Sequence, residues 1–451
     1  MSRLPARALV CLVALLAVAP ESAGDPGPAS QPADLLRHAQ ALVRRTARLR
    51  GLRARRKILM GVLSRDEILR RIEKKLDEEY TPAEIAAESA VLKLLGLLPE
   101  TLDYRKAVLD LLRDQVAGFY DPTTRRLNLA SWITMDLQGP ALVHEICHAL
   151  QDQHFNLRRL TRPFKDNSDR QLAQAALVEG DCTGVMLEHI LAPQGLDLGS
   201  MPDGLASLAR QNLTGGGSPA FKAAPAFLRE TLVFPYIHGL DMMQRLRTRH
   251  PWSRVNVMYR RPPESTEQVL HYEKYWARER PVRITPAPLA ALTGYHEVKR
   301  DVLGELQLSI FLGQALASST AQRAAAGWGG DLLLAYAPDR ARPASAPTGA
   351  EAVSSADLVL VHLSSWDSEE DALEAANALR RVLLKRGLAR REEAGTDRHT
   401  WVYEDGKQRR WSVQLVARHV LLLGAIPKAL QPQLQQQVWQ RFRVGGRRVT
   451  P

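Results

Sequence analysis

The chain has 451 residues and a formal net charge of +12, with 45% hydrophobic and 24% charged residues. The length allows two or three domains, and the composition is that of an ordinary globular protein, because no internal apolar stretch is long enough to span a bilayer. The positive charge favours anionic surfaces. The arginines are spread along the sequence, however, and no nucleic-acid-binding motif is present, so no nucleic-acid partner is predicted.

Residues 1–23 have the composition of a secretory signal peptide. Two arginines precede an apolar run, Ala8 to Ala19, which is too short to span a membrane comfortably, and a polar segment follows. We therefore expect an exported protein, periplasmic or secreted, whose mature chain has no transmembrane segment. Removal of this segment leaves Cys147 and Cys182 as the cysteines of the mature protein.

A helical region is expected over residues 33–110. Apolar residues recur at helical spacing with charged residues between them, and Ser64 with Glu67 has the spacing of a capping box at a helix start. Prolines and glycines interrupt the pattern, which argues against a long coiled coil. We interpret the whole region as packed helices.

The pattern changes period at residues 117–131, where two leucines alternate with polar residues after an Asp-Pro turn, and this predicts a β-hairpin. Helices should follow over residues 143–155 and about 169–191, and a further helix should start at Pro235. Residues 281–451 alternate strands with helices and predict a small α+β domain. The expected fold class is therefore α+β and predominantly helical.

The sequence HEICH, residues 144–148, carries the clearest chemistry. Residues i and i+4 lie about 40° apart around a helix, so His144 and His148 project from one face and can bind one tetrahedral Zn²⁺. Glu145 lies about 100° further round the helix, beside the metal, where it can activate a water molecule as general base and acid. The alternative without metal is a helix that carries two surface histidines.

The third protein ligand has two candidates. His154 has the spacing of the metzincins, but Gln151 stands where they have a glycine, and on an uninterrupted helix His154 points away. Glu179 shares its face of the second helix with small residues that would allow a close approach to the first helix: Ala175, Ala176, Cys182 and Thr183. We predict that Glu179 completes the zinc site and that Asp181 holds a ligand histidine or caps a group nearby. A buried glutamate paired with an arginine is the structural alternative for Glu179.

HExxH followed by a downstream helical glutamate resembles the gluzincin class of zinc metallopeptidases. More closely, the chain resembles a group of exported bacterial predicted metallopeptidases in six stretches between about residues 110 and 335: GFYDP, HEICHALQDQHF, LVEGD, FPYIHGL, PPESTEQVLH and GWGGD. The resemblance implies a zincin-like catalytic core at residues 111–280 that hydrolyses peptide bonds. It also implies that strand 125–131 is an edge strand that pairs with an extended peptide substrate. Tyr236, His238 and His271 are candidates to stabilise the oxyanion, and of these we favour Tyr236 and His271, which both lie in the resembling stretches.

Two positions depart from that group, which usually has Thr in place of Cys147 and Ala in place of Cys182. The double departure suggests a disulfide that would join the two zinc-binding helices. Two rival hypotheses remain: a metzincin-like hydrolase that uses His154 as its third ligand, and an envelope binding protein with the same fold that cleaves nothing.

Overall fold

The computed structural model describes residues 32–113, 118–131, 135–202, 204–205, 211, 218–339, 353–391 and 399–448. The predicted signal peptide, residues 1–23, lies outside these ranges. The fold is α+β and predominantly helical, with helices concentrated before residue 280 and a large sheet after it. None of the described helices combines the length and the apolar composition that crossing a membrane would require.

The elements are as follows. The described helices are α1 (Pro32–Arg50), α2 (Arg65–Glu79), α3 (Pro82–Leu94), α4 (Tyr104–Arg113), α5 (Met135–Phe155), α6 (Leu157–Leu160), α7 (Ser168–Leu191), α8 (Pro219–Ala223), α9 (Ala226–Arg247), α10 (Val255–Arg260), α11 (Thr266–Leu270), α12 (Tyr272–Ala277), α13 (Gly304–Leu312), α14 (Ser318–Ala325), α15 (Glu369–Lys385) and α16 (Gln431–Arg441). The described strands are β1 (Leu59–Leu63), β2 (Gly118–Asp121), β3 (Arg126–Ala130), β4 (Ile284–Thr285), β5 (Tyr295–Asp301), β6 (Trp328–Pro338), β7 (Val359–Trp366), β8 (Ala389–Arg391), β9 (Thr400–Glu404), β10 (Arg410–Val416), β11 (His419–Ile426), β12 (Arg443–Val444) and β13 (Arg447–Arg448).

Helices α5 and α7 lie side by side at the centre of the helical part, with α1 packed on α5 and α9 packed on α7. Their shared core is apolar and includes Ile146 and Leu150 of α5. Helices α7 and α9 cross at Gly180 and Gly239, where a Cβ atom on Gly239 would collide with the carbonyl oxygen of Ala176. The crossing therefore requires glycine, because a larger residue would push the two helices apart.

A three-stranded sheet covers the start of α5, with β3 in the centre, β2 antiparallel to it and β1 parallel to it. The predicted hairpin is confirmed as β2 and β3. Two predictions are wrong. Residues 33–110 are not all helical, because Leu59–Leu63 forms strand β1, whose backbone groups pair with β3. Strand 125–131 is not an edge strand, because β3 lies between β1 and β2.

Two local predictions about helix starts have opposite outcomes. The capping box is confirmed: Ser64 accepts the N–H of Glu67, and the Glu67 carboxylate accepts the N–H of Ser64. The helix expected to start at Pro235 instead begins at Ala226 and continues through the proline. Proline costs one backbone hydrogen bond inside a helix, and here the buried packing of α9 on α7 compensates for that loss.

The C-terminal part is built on a seven-stranded antiparallel sheet in the order β5-β6-β7-β11-β10-β9-β8. One face packs on α13, α14 and α15 in an apolar core that also includes residues of α3 and α9, and α16 packs on the other face. The predicted C-terminal α+β region is therefore present, and its sheet packs directly on the helical part.

Candidate metal centre

Three side chains meet between α5 and α7. His144 and His148 project from one face of α5, and Glu179 reaches them from α7. The Nε2 atoms of the two histidines are 3.0 Å apart, and Oε2 of Glu179 lies 3.1 Å from Nε2 of His144 and 3.3 Å from Nε2 of His148. All three side chains are buried. Three ligand-type atoms thus form a nearly equilateral triangle inside the protein.

The triangle fits a tetrahedral metal. For zinc–ligand distances of about 2.0–2.1 Å, neighbouring corners of a tetrahedron lie roughly 3.3–3.4 Å apart, close to the separations of these three atoms. Two imidazole nitrogens and one carboxylate oxygen are also the donor types of catalytic zinc sites. Lone pairs that converge in a buried place are unfavourable unless a proton or a cation lies among them. The residues present therefore fit a zinc ion.

His148 is held in the orientation and the tautomer that a metal ligand needs. Its Nδ1 lies 3.0 Å from Oε1 of Gln151. The amide group of Gln151 is oriented by its Nε2, which donates to the carbonyl of Val178 at 3.1 Å and to Oδ2 of Asp181 at 2.9 Å. Because Oε1 of Gln151 can only accept, Nδ1 of His148 must donate, and in the neutral ring this leaves the lone pair on Nε2.

Asp181 holds the amide group of Gln151 in place and is itself held by two other residues. Its carboxylate forms a two-bond ion pair with Arg50, with distances of 2.5 Å from Nε and 3.0 Å from Nη2, and it accepts the hydroxyl of Tyr259 at 2.7 Å. Arg50 and Asp181 are both fully buried. A chain of contacts therefore runs from α1 through Asp181 and Gln151 to His148, and it fixes where the ring of His148 points.

His144 is held differently. The ring of Tyr236 stacks beside it, with centroids 6.2 Å apart and planes 27° from parallel. Among the described residues, no atom hydrogen-bonds to Nδ1 of His144. Its orientation thus depends on packing and on Glu179, whereas that of His148 depends on hydrogen bonds.

The charges around the triangle favour a cation. Burial lowers the pKa of His144. Burial also lowers the pKa of His148, but Glu179 and Glu145 raise it by more, to about 9. Burial would raise the pKa of Glu179, yet the charge of His148 and hydrogen bonds from both histidines bring it down to about 2. A negative charge at Glu179 and a positive charge beside it are therefore the stable state of this site.

Glu145 is positioned by the small sheet. The backbone N–H of Tyr120 on β2 donates to its Oε2 at 2.7 Å. Burial raises the pKa of Glu145 to about 7, while the charge of His148 and the Tyr120 N–H act in the opposite direction. A carboxyl group held by one oxygen beside the candidate ligands can accept and release a proton there.

A disulfide joins Cys147 of α5 to Cys182 of α7, with Cα atoms 5.5 Å apart. This is the pairing suggested by the sequence. Sγ of Cys182 lies 3.4 Å from Nδ1 of His148. The disulfide therefore ties together the two helices that carry the candidate ligands, within van der Waals distance of one of them.

His154, the third ligand of the rival hypothesis, and His271, an oxyanion candidate, have other partners in the structure. Nε2 of His154 lies 2.8 Å from the carbonyl of Arg53, in agreement with an uninterrupted helix that turns His154 away from His148. Nε2 of His271 pairs with Oε1 of Glu305 at 2.9 Å, and among the described residues it has no hydrogen bond or ring contact with the candidate ligands. Tyr236 is the predicted oxyanion candidate that the structure does place beside them.

A second group of acidic residues, Glu267, Glu279 and Asp367, lies near His271. The ammonium group of Lys274 contacts all three carboxylates, at 2.7, 2.8 and 2.5 Å. The cation in this cluster is therefore a lysine of the chain itself, and the cluster is an ion-pair network.

Sequence reasoning missed several residues that shape the site. In the sequence Gln151 is a departure from the metzincin glycine, and its place one turn after His148 is the only local signal of its hydrogen bond to that ring. Arg50 and Gly239 lie far away in the sequence, and no local spacing pointed to their contacts with α7.

A family described as "Domain of unknown function (DUF8575)" matches residues 291–434. This range covers the seven-stranded sheet and ends inside α16, so the candidate metal centre lies entirely before it. No curated protein and no solved structure matches the chain.

Proposed function

We propose that the protein is an exported zinc metallopeptidase with a zincin-like core, in which His144, His148 and Glu179 bind zinc. The observation that carries the proposal is the buried triangle of Nε2, Nε2 and Oε2, with separations of 3.0–3.3 Å. The position of Glu145 beside this triangle supports a hydrolytic role over a purely structural zinc site, because structural sites are closed by a fourth protein ligand.

Three residues of the chain have separate roles in the proposed hydrolysis. When bound, zinc supplies Lewis-acid chemistry that makes water nucleophilic near neutral pH and polarises a carbonyl group. Glu145 takes the proton from the attacking water and passes it to the leaving amine, while the Tyr120 N–H holds one oxygen of its carboxyl group in place. The hydroxyl of Tyr236 is our candidate donor to the oxyanion, since its ring stacks on His144.

The proposed substrate is a peptide or protein. We do not propose that the substrate pairs with strand 125–131, because β1 and β2 already occupy both edges of β3. Export is supported by the composition of residues 1–23 and by the Cys147–Cys182 disulfide, since disulfides persist mainly in oxidising compartments.

Zinc content separates the ligand hypotheses. We expect Glu179→Ala to lose zinc, measured by metal analysis after dialysis, because two histidines alone hold zinc weakly. His154→Ala is the matched control and should retain zinc, since its ring faces Arg53. Loss of zinc from His154→Ala alone would support the metzincin-like alternative, and a wild-type protein without zinc after growth in zinc would contradict the metal site.

Hydrolysis separates an enzyme from a binding protein. Glu145→Gln should keep zinc and lose at least about 100-fold in the cleavage rate of a quenched-fluorescent peptide library, because it removes the group that moves the proton. An undiminished rate in this variant would refute the mechanism. A zinc-loaded wild-type protein that cleaves no member of the library would favour the non-catalytic binding protein.

A further inference from the structure

A large cavity of about 1910 Å³ lies between α3, α4, α7 and α9 in the helical part. Tyr236, which stacks on His144, forms part of its wall. Small-molecule pockets have volumes of about 300–1,000 Å³, so this cavity exceeds what a small ligand needs. Its size and position suit a segment of a larger molecule that leads towards the metal centre.

The wall of this cavity concentrates positive charge. Twelve of its lining residues are lysine or arginine, whereas four are aspartate or glutamate. The whole chain has 61 basic and 49 acidic residues, which is a much weaker excess. The fold therefore gathers ten arginines from separate parts of the sequence onto one surface, and this raises the local concentration of anionic ligands.

Part of this charge is not neutralised by the protein. Lys165 pairs with Glu84, and Lys299 pairs with Glu88 and Asp301. In contrast, five exposed arginines of the wall form no ion pair with any described residue: Arg159, Arg162, Arg260, Arg261 and Arg278. They lie in and just after α6, at the end of α10 and just after it, and just after α12, so they come from three separate parts of the chain.

Another part of the wall is apolar. Leu111 and Leu112 of α4 line it together with Phe227, Leu228 and Leu232 of α9. Apolar side chains of a peptide can be buried against such a surface, whereas the sugar-phosphate backbone of a nucleic acid offers phosphates but no aliphatic side chains. The mixture of free guanidinium groups and apolar surface therefore favours a polypeptide with acidic and apolar residues.

We propose that this cavity binds an acidic segment of a polypeptide and presents it to the metal centre. The idea that the bound segment is also cleaved rests on the proposed function, whereas its binding does not. Carboxylates of the segment pair with the free arginines, and its apolar residues lie against α4 and α9.

Binding can be measured apart from cleavage. The full-length Glu145→Gln protein is titrated against two fluorescein-labelled peptides, one alternating Glu with Leu and one alternating Lys with Leu, and fluorescence anisotropy gives the dissociation constants. We expect the Glu/Leu peptide to bind at least roughly ten-fold more tightly at low salt, and the difference to shrink as salt is added. Equal affinities, or tighter binding of a single-stranded DNA oligonucleotide, would overturn the proposal.

Two double variants test whether the Glu/Leu peptide binds in the cavity. Arg162→Gln with Arg260→Gln removes two free charges from the cavity and should weaken binding of the Glu/Leu peptide roughly ten-fold. Arg381→Gln with Arg390→Gln removes two exposed charges outside it that form no ion pair with a described residue, and should change affinity by less than about two-fold, since screening limits distant charges. An equal loss in both double variants would refute the assignment to the cavity.

Cleavage of the same peptides by the unsubstituted protein distinguishes the two proposals. Charge-selective binding without cleavage would leave this inference standing and would contradict the proposed peptidase. Cleavage of both peptides at the same kcat/KM, unaffected by Arg162→Gln with Arg260→Gln, would support the peptidase and overturn the acidic substrate.

Discussion

The helical part around the metal centre and the C-terminal sheet are stabilised in different ways. In the helical part, a few buried contacts between distant residues fix the geometry: the Arg50–Asp181 ion pair, the Gly180–Gly239 crossing and a disulfide. In the sheet, stability is spread over seven strands, and β7, next to the central strand β11, is buried along its whole length. A single substitution should therefore matter far more in the first region than in the second.

The same division holds for similarity and chemistry. The family match covers the sheet, residues 291–434, whereas the candidate ligands lie on α5 and α7. The sheet packs on the helical part through a common apolar core that includes residues of α3 and α9. The sheet can therefore support the helices structurally, while the chemistry we propose depends on residues outside the matched range.

The largest expected effect is the loss of a buried charge in the helical part. Arg50→Ala leaves Asp181 buried without its cation and should lower the free energy of unfolding by about 4 kcal/mol. The control is Arg391→Ala in the sheet, whose partner Glu404 is 2.9 Å away but whose side chain is 50% exposed. Because water already solvates this pair, we expect less than about 1 kcal/mol.

Urea denaturation of both variants measures the difference. Arg50→Ala should also weaken zinc binding, because Asp181 orients Gln151 and through it His148. Similar losses of stability in the two variants would mean that the buried ion pair has no special role in the helical part.

A smaller effect is expected at the helix crossing. Gly239→Ala adds a methyl group that collides with the backbone of α7 and should cost about 3 kcal/mol, because the helices must separate. Gly406→Ala, in the turn after β9, is the control, since a Cβ there meets no atom within 4 Å. Thermal unfolding followed by circular dichroism compares them, and an unchanged Tm for Gly239→Ala would show that the crossing is looser than the structure indicates.

Features encoded in local spacing could be predicted from the sequence. The i, i+4 separation of His144 and His148 places them on one face of α5, and the rotation of an uninterrupted helix turns His154 away. The capping box at Ser64 and the hairpin of β2 and β3 follow from equally local rules.

Features that depend on distant partners could not be predicted. Strand β1 forms because it can pair with the edge of β3, and no residue pattern within Leu59–Leu63 indicates this pairing. Arg50 meets Asp181 across 131 residues of sequence, so no spacing rule connects them. His271 was assigned to the metal centre from the resemblance alone, and the structure gives it Glu305 as its partner instead.

One buried group in each region should make stability depend on pH, and the two dependences have opposite directions. Glu79 of α2 is buried, and no described residue hydrogen-bonds to its carboxyl group. Burial raises its pKa to about 8, with Glu78 acting in the same direction and Lys75 and Lys165 opposing it. In the unfolded chain the pKa is near 4.5, so stability is lost as pH rises from 4.5 to 8.

His419 of β11 has the reverse behaviour. Burial, together with the nearby charge of Arg418, lowers its pKa to about 4 from an unfolded value of 6.5. The unfolded chain therefore binds the extra proton first, and stability is lost as pH falls from 6.5 towards 4. Acid should therefore destabilise the packing around His419, whereas alkali should destabilise the packing around Glu79.

Glu79→Gln tests the alkaline side of this contrast. It should raise the free energy of unfolding at pH 8 by on the order of 2 kcal/mol and leave it nearly unchanged at pH 4, because only the ionised carboxylate is costly to bury. His419→Gln should give a smaller gain, confined to acid pH, because this ring is only half-buried. Hydrogen exchange measured by mass spectrometry resolves α2 from β11 and shows which region opens first at each pH. A gain from Glu79→Gln that is the same at pH 4 and pH 8 would mean that the substitution acts through packing. The pH dependence attributed to Glu79 would then be wrong.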